Sequence, residues 1–447
     1  MTRALPPSIR LTGGDYFVCA IDRQMRRAGQ RGNVCRLVLR LEGALDEARL
    51  RERLAASVAC GWISRLRLTR FLPLLPPRWR TSGAAHPGIA LSAGQDRSDP
   101  ASPLPGSLPD PDLCAGRSPA LALDLLHGTD GASHLVLSWH HALMDARGAE
   151  LLLRHLLQDA APTPDPRALL LNPAQTGSVG WRPWRSFPTR LNFARESLAV
   201  ITSTCREPFF SLLPASPAAP PRRNEYRVCW LSAAATARVD AHCRLLNAGF
   251  RRSHFYLAAS IRALHAVAVL RGAGGGAYVV PVPHDLRKRG ATSPVLSNQI
   301  SFLFFRIEAS QAAVLPVVIL ELSRQMRNQI GNRTPDSFLA SMELFTPIPL
   351  GLYLRQILCP TQGKFVTFIF SDAGESFPDL HETLGARTTA VTHLAPASHP
   401  PGLTVVFSRF RGRLCFVISW VDDCLTAREI DLLEHGVRDA LTGEEFR

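Results

Sequence analysis

The stretch Ser138-Trp-His-His-Ala-Leu-Met-Asp-Ala-Arg-Gly148 decides how this sequence is interpreted. Its first residues end a strand pattern that covers residues 134–139. Its last residues begin a helix pattern that starts near Asp145. Junctions of this kind often place polar side chains at the mouth of a site. Since side chains alternate along a strand, we expect His140 and His141 to point in opposite directions, and a turning backbone can bring Asp145 beneath the ring of His141.

A neutral histidine at this junction can act as a general base. It would take a proton from a hydroxyl or amine that attacks a carbonyl, which is worth about 10²–10⁴ in rate. No serine or cysteine nucleophile is needed when the acyl donor is a thioester, and the sequence has no Gly-x-Ser-x-Gly elbow of the kind that acyl-enzyme hydrolases use. Two other interpretations stay open at this point. The histidines could be satisfied core residues with Asp145 as a helix N-cap, or all three could bind a metal, for which the sequence supplies no further ligand at the usual spacing.

Length and composition describe an ordinary globular protein. The chain has 447 residues, of which 46% are hydrophobic and 20% charged, and its length favours two or three domains. It contains no run of 18 uncharged apolar residues and starts without an apolar signal segment, so we expect a cytoplasmic protein without a membrane span. The net charge is +14, but the arginines are scattered and no nucleic-acid recognition motif accompanies them. We therefore expect no nucleic-acid partner.

Strand and helix patterns alternate along most of the chain. The N-terminal subdomain is expected over residues 1–175 and the C-terminal subdomain over residues 190–447, with a proline-rich linker at 161–189. The Pro, Gly, Ser and Ala content of residues 73–119 predicts that most of this stretch is a long loop. The expected strands fall at 35–41, 120–126, 134–139, 226–231, 277–282, 299–307, 365–371, 403–410 and 414–421. One expected helix starts near Asp46, and others lie at 145–158, 190–206, 232–246 and 253–271. Several helices are expected between about 310 and 357, and a last one begins at the capping box at Thr426.

The segment His140-His-Ala-Leu-Met-Asp-Ala146 resembles the His-His-x-x-x-Asp-Gly motif of the chloramphenicol-acetyltransferase-like superfamily. That superfamily includes nonribosomal peptide condensation domains, wax ester synthase/diacylglycerol acyltransferases and alcohol acyltransferases. Ala146 stands where the motif has glycine, and alanine tolerates a positive φ poorly. Three further segments resemble the family in the expected order: 63–67, 280–287 with 296–301, and 370–374, where Asp372 replaces an asparagine.

The resemblance implies an α/β fold with mixed sheets, in which two chloramphenicol-acetyltransferase-like subdomains form a V around a central channel. It implies that His141 is the general base, with His140 beside it in the motif. It further implies that Asp145 is structural and forms an ion pair with Arg287.

The resemblance also implies four residues for oxyanion or substrate binding: Ser371, Gly374, Trp139 and Asn298. Ser371 and Gly374 could equally be a plain strand-to-loop turn, and Arg287 an ordinary surface arginine.

The implied reaction moves an acyl group from a thioester of coenzyme A, or of a phosphopantetheine-bearing acyl carrier protein, to a hydroxyl group. No bound cofactor or metal is implied. Two alternatives stay open: amide formation with an amine in the manner of condensation domains, and a catalytically inactive relative that binds a carrier protein or lipid. The acceptor is expected to be a small molecule or lipid, and peripheral contact with the inner membrane surface is compatible with the basic charge.

Overall fold

The structure is a computed structural model that describes residues 4–43, 45–70, 75–82, 89–96, 102–116, 119–128, 131–158, 165–171, 187–205, 208–214, 221–249, 252–288 and 290–444. The strands in these residues are β1 (Ser8–Arg10), β2 (Val34–Glu42), β3 (Leu66–Thr69), β4 (Arg78–Thr81), β5 (Leu91–Gln95), β6 (Leu121–His127), β7 (Ala132–His140), β8 (Asn224–Trp230), β9 (Ala277–Asp285), β10 (Ile300–Glu308), β11 (Ile369–Glu375), β12 (Glu382–Thr383), β13 (Ala386–Leu394), β14 (Leu403–Phe410) and β15 (Arg413–Val421). The helices are α1 (Gly13–Arg27), α2 (Glu47–Ala56), α3 (Val58–Ile63), α4 (Ala146–Leu157), α5 (Pro166–Leu170), α6 (Phe187–Cys205), α7 (Ala233–Leu245), α8 (Arg252–Leu270), α9 (Ala309–Ala312), α10 (Leu315–Gly331), α11 (Thr334–Phe345), α12 (Leu350–Leu358) and α13 (Ala427–Thr442).

A six-stranded sheet organises the first half of the chain, in the order β12-β13-β2-β7-β6-β5. Strands β2 and β7 pair antiparallel at its centre, with Leu37 opposite Leu137 and Val34 opposite His140. Alternate leucines on these strands join the core that α1 to α4 cover, as a sheet face packed on helices requires. Strands β12 and β13 come from the second half of the chain, and β13 pairs with β2.

The second half is built around a four-stranded sheet in the order β11-β14-β15-β8, beside the two-stranded pair β9-β10. Helices α7, α8 and α13 contribute to one hydrophobic core with these strands. Among the described residues, α8 is the helix that is long and apolar enough to cross a membrane, and 67% of its most apolar stretch is buried inside the structure. A buried core helix can have the same length and apolar composition.

The two halves meet closely at the turn that follows β7. The backbone N–H of Ser297 donates to the carbonyl of Leu143 at 2.9 Å, and Met144 and Ser297 form an isolated parallel bridge. A Cβ at Gly148 would lie 2.1 Å from the carbonyl oxygen of Val295. Only glycine permits this approach, so the sequence motif is locked to the second half of the chain.

Most expected elements agree with the structure, and two segments need correction. Residues 73–119 are not loop throughout, because β4 pairs with β1 and β3, and β5 pairs with β6. These strands are short and lie among prolines and glycines, which hides their pattern. The strand expected at 365–371 begins only at Ile369, since Phe365 has a φ of 65°, a left-handed conformation that a strand cannot contain.

The proline-rich segment at 161–189 contains the short helix α5 and the start of α6. Its residues 161–164 and 172–186 lie outside the described part of the chain.

Candidate active site

A cavity of about 660 Å³ lies between the two halves, and its wall is mostly apolar. Strand β7 and helices α1 and α4 contribute from the first half, and strands β10 and β11 and helices α6, α11 and α12 from the second. Six phenylalanines line it: Phe17, Phe302, Phe304, Phe338, Phe345 and Phe365. A cavity of this size, with polar groups set in a mostly apolar wall, is typical of a small-molecule site.

His141 lines this cavity. Its backbone N–H donates to the carbonyl of Asn33 at 2.9 Å, which continues the β7–β2 ladder to the last residue before the turn. Burial lowers the pKa of the imidazole below 6.5, although the carbonyl groups of His141 and Met144 and the charge of Asp145 act in the opposite direction. The ring is therefore neutral at pH 7 and can accept a proton.

The two nitrogens of the His141 ring differ in their surroundings. Nδ1 is sealed from solvent, and no group in the described part of the chain forms a well-aligned hydrogen bond with it. Nε2 is therefore the nitrogen that can meet a molecule in the cavity.

His140 faces different surroundings and is absent from the cavity wall. Its Nε2 lies 3.3 Å from Asp22 Oδ1, and its Nδ1 accepts from the backbone N–H of Ala142 at 3.2 Å. Burial alone would raise the pKa of Asp22, but His140 and Arg26 outweigh it and lower that pKa. The first histidine therefore anchors the turn to α1 and does not reach the cavity.

Asp145 and Arg287 are in direct contact. Arg287 Nη1 donates to Asp145 Oδ2 at 2.7 Å, and the two side chains are 4% and 10% exposed. Asp145 Oδ2 also accepts from the backbone N–H of Gln299 at 3.0 Å, while Oδ1 accepts from the N–H of Gly148 at 2.8 Å and caps α4. The carboxylate of Asp145 therefore both caps α4 and forms the ion pair with Arg287, the two roles that the sequence suggested for it.

Ala146 is the first residue of α4 and does not have a positive φ. The alanine that replaces the motif's glycine therefore fits this backbone without strain.

Asn298 supports the motif from behind and does not line the cavity. Its Nδ2 donates to the carbonyl of His141 and to Asp15 Oδ1, both at 2.9 Å. Asp15 is fully buried and also accepts from the backbone N–H of Asn298 at 2.7 Å. Burial raises the pKa of Asp15 to about 6. Sequence reasoning missed Asp15, although the Thr12-Asp15 spacing of a capping box marks it.

Trp139 and Ser371 line the cavity. Trp139 Nε1 donates to the carbonyl of Met144 at 2.9 Å, so the indole fastens the turn after β7.

Gly374 has a φ of 71° and is absent from the cavity wall. The N–H of Gly374 donates to Asp372 Oδ1 at 3.0 Å, so this N–H is already hydrogen-bonded at the end of β11. Asp372 lines the cavity, accepts from the hydroxyl of Ser253, and has a pKa raised by burial.

One group in the described residues has three potential metal ligands, His399, Asp423 and Cys424, with ligand atoms within 4.8 Å of one another. It lies outside the cavity wall. Arg222 Nε donates to Asp423 at 2.8 Å, and burial raises the pKa of the Cys424 thiol to about 12. A neighbouring guanidinium and a protonated thiol both disfavour a cation there.

No protein-family model matches the sequence, and no curated protein is significantly similar to it. Solved structures do resemble it along nearly its whole length. The trichothecene 15-O-acetyltransferase of Fusarium sporotrichioides is 13% identical, with a TM-score of 0.69 and coverage of 98% of this chain and 96% of that one. The first condensation domain of the CDA synthetase is 16% identical, with a TM-score of 0.65 and coverage of 98% and 96%.

A third similar structure is the SgcC5 protein of Streptomyces globisporus, in complex with a naphthyl ethanediol and sucrose. It is 16% identical, with a TM-score of 0.61 and coverage of 98% of both chains. Identities this low establish the fold alone. The chain therefore has the chloramphenicol-acetyltransferase-like fold of condensation domains and acetyltransferases, as its resemblance to that superfamily implied.

Proposed function

We propose that this protein is an acyltransferase that moves an acyl group from a thioester to a hydroxyl group, with His141 as the general base. The observation that carries the proposal is the position of His141. Of the two adjacent histidines, it is the one in the wall of a cavity shared by both halves, and burial keeps its ring neutral at pH 7 by lowering its pKa. A neutral imidazole in an apolar cavity has the protonation state that a general base requires.

The proposed reaction balances without a further reactant. The acceptor oxygen attacks the thioester carbonyl while His141 Nε2 takes the hydroxyl proton. The tetrahedral intermediate then expels the thiolate, the imidazolium returns the proton to sulfur, and an ester and a thiol remain. Ser371 is the proposed hydrogen-bond donor to the intermediate's oxyanion, because this residue lines the cavity. Asp145 and Arg287 hold the turn that carries His141 and do not react.

The cavity wall and the overall charge support this choice of substrates. Aromatic side chains from α1, β10 and α11 provide an apolar surface for an acyl chain. The net charge of +14 favours a donor that carries phosphate, either coenzyme A or a phosphopantetheine-bearing acyl carrier protein. One of the similar structures is an O-acetyltransferase, which supports an oxygen acceptor.

The acceptor class and the location are part of the proposal. A hydroxyl is preferred over the amine of condensation-type amide formation because Asp145, which could orient a charged amine, is already engaged by Arg287 and two backbone N–H groups. We propose a cytoplasmic enzyme, with any membrane contact limited to its basic surface.

The test is a comparison of wild type with His141→Ala, using acyl-coenzyme A and acyl-pantetheine donors with alcohols and amines. Thiol release that depends on the acceptor is the measurement, and the ester is identified by mass spectrometry. We expect His141→Ala to lose about 10²–10⁴ of the rate, and the control His435→Ala, at an exposed position on α13, to retain it. Equal turnover by wild type and His141→Ala overturns the proposal. Binding of thioester without transfer identifies the inactive relative, and turnover of amines alone identifies amide formation.

A further inference from the structure

We infer that Asn33 holds the reacting hydroxyl group of the acceptor against His141. The inference rests on the proposed function, because it assigns a second residue to the step in which His141 takes the acceptor's proton. Asn33 lies outside the sequence motif, at the residue before β2, and it lines the cavity. Its side-chain amide donates an N–H to the acceptor oxygen, while the hydrogen on that oxygen points to His141 Nε2.

Asn33 and His141 are direct neighbours across the two central strands of the first half's sheet. The pairing of β2 with β7 runs to Val34 opposite His140. One step further, the backbone N–H of His141 donates to the carbonyl of Asn33 at 2.9 Å. Residues directly opposite on antiparallel strands point to the same face, with Cβ atoms about 4.5–5.5 Å apart. Both residues line the cavity, so the face that they share is its wall.

The side-chain amide of Asn33 has no partner within the protein. The backbone of this residue is fully engaged, since its N–H donates to Asp22 Oδ1 at 2.8 Å and its carbonyl accepts from His141. The residue is 7% exposed, yet no group in the described part of the chain is hydrogen-bonded to its amide, and the amide atoms are not sealed from the cavity. A ligand that hydrogen-bonds to such an amide restores the bond that burial removed.

The other polar side chains that the first half contributes to this wall are already engaged. Its charged residues are each paired: Arg36 with Asp110, Asp145 with Arg287, and Arg147 with Glu150. Trp139 Nε1 donates to the carbonyl of Met144, and burial raises the pKa of the Cys35 thiol to about 12, so this thiol is uncharged. Among the described residues, Asn33 therefore supplies this wall with an uncommitted hydrogen-bond donor next to His141.

A hydroxyl group is the ligand that suits this pair of side chains. The neutral His141 ring accepts a hydrogen bond at Nε2 and the amide of Asn33 donates one at Nδ2, and a hydroxyl both donates and accepts. Two ordinary hydrogen bonds that meet at one oxygen span up to about 6 Å, which suits side chains on directly opposed residues. As the proton moves to His141, negative charge grows on the oxygen and the bond from Asn33 strengthens. A protonated amine has no lone pair to accept that bond.

The experiment compares wild type with Asn33→Leu, which keeps the approximate size of the side chain and removes its hydrogen-bonding atoms. With octanoyl-coenzyme A as donor and 1-octanol as acceptor, we expect kcat/KM for the alcohol to fall about tenfold or more, because the hydroxyl is no longer held in line with the carbonyl. In calorimetry without donor, binding of 1-octanol should weaken about three- to tenfold, whereas binding of the unreactive thioether octyl-coenzyme A should stay within about twofold.

Stability separates this role from a structural one. Because no protein group depends on the amide, Asn33→Leu should unfold in urea with the wild-type free energy or a higher one. Asn33→Ala is the second variant if Asn33→Leu does not fold. The control is Asn328→Leu, at an exposed position on α10, which should match wild type in every measurement.

Wild-type kcat/KM and 1-octanol binding in the Asn33 variants overturn the inference, and so does equal weakening of 1-octanol and octyl-coenzyme A. An activity loss that follows a loss of stability also overturns it. Since calorimetry needs no acyl transfer, these results are separable from a failure of the proposed function, which would appear as full activity in His141→Ala.

Discussion

Removing either partner of the Asp145–Arg287 pair is expected to destabilise the protein, and by different amounts. The two side chains are 10% and 4% exposed and 2.7 Å apart. Loss of one partner from a buried pair costs about 3–5 kcal/mol, because the remaining charge stays buried without its counter-charge. The surroundings of each partner decide where in that range each variant falls.

In Arg287→Ala, the remaining carboxylate still accepts hydrogen bonds from the N–H groups of Gly148 and Gln299. We therefore expect a loss of about 3 kcal/mol in the free energy of unfolding. In Asp145→Ala, those two N–H groups and the guanidinium all lose their acceptor, and α4 loses its N-cap. Among the described residues, Arg287 keeps the carbonyl of Pro294 at 3.2 Å and a longer contact to Asp285. We expect a loss of about 5 kcal/mol for this variant.

Urea unfolding followed by tryptophan fluorescence measures both values. Asp336→Ala is the control, because Asp336 pairs with Arg333 at 2.7 Å but the two side chains are 47% and 68% exposed. An exposed pair of this kind contributes about 0–1 kcal/mol. The double variant should lose less than the sum of the two single losses, because the partners interact directly. If Arg287→Ala unfolds with the free energy of Asp336→Ala, the argument that this buried pair holds the turn is refuted.

Two further predictions concern the turn and the base. Gly148→Ala is expected to destabilise the protein by about 2 kcal/mol or more, because the new Cβ would lie 2.1 Å from the carbonyl oxygen of Val295. The control Gly61→Ala, in helix α3, should be neutral or stabilising, because nothing lies within 4 Å of its Cβ. Equal unfolding midpoints for the two variants would contradict the close approach at Gly148. Burial lowers the pKa of His141 below 6.5, so the ring becomes protonated only as the pH falls below 6.5. The acid limb of the pH profile of kcat/KM should therefore have its midpoint below pH 6.5. A midpoint above pH 6.5 would exclude this ring as the base.

Sequence patterns located the central segment of the site, because the strand, cap and helix signals that mark it come from residues close together in the sequence. The strand into His140, the cap at Asp145 and the helix after it are fixed by neighbours in the sequence. The pairing of Asp145 with Arg287 spans 142 residues, and only the resemblance to a family supplied it. Periodicity alone gives no means of choosing Arg287 among the many arginines of the chain.

The residues that sequence reasoning missed are those whose role depends on long-range packing. Asp15 is recognisable as a helix-capping residue, but its contact with Asn298 spans 283 residues. His393 lies in β13, where the alternation of apolar and polar residues is that of an ordinary strand. Its contact with Glu150 forms because β13 crosses into the sheet of the first half. Nothing in the local pattern of either segment distinguishes a cavity-lining residue from a core one.

The placement of the site at the junction of two halves explains why so many of its supports are polar. Apolar contacts stabilise each half separately but are not directional. The position of His141 depends instead on oriented hydrogen bonds that cross the junction, from Asn298 to its carbonyl and from Arg287 and Gln299 to Asp145. A shift of one half against the other would break these bonds together, because all three donors lie on the segment 287–299. The geometry of the base and the docking of the two halves are therefore one property of the molecule, and a variant that loosens the junction should lose activity and stability in parallel.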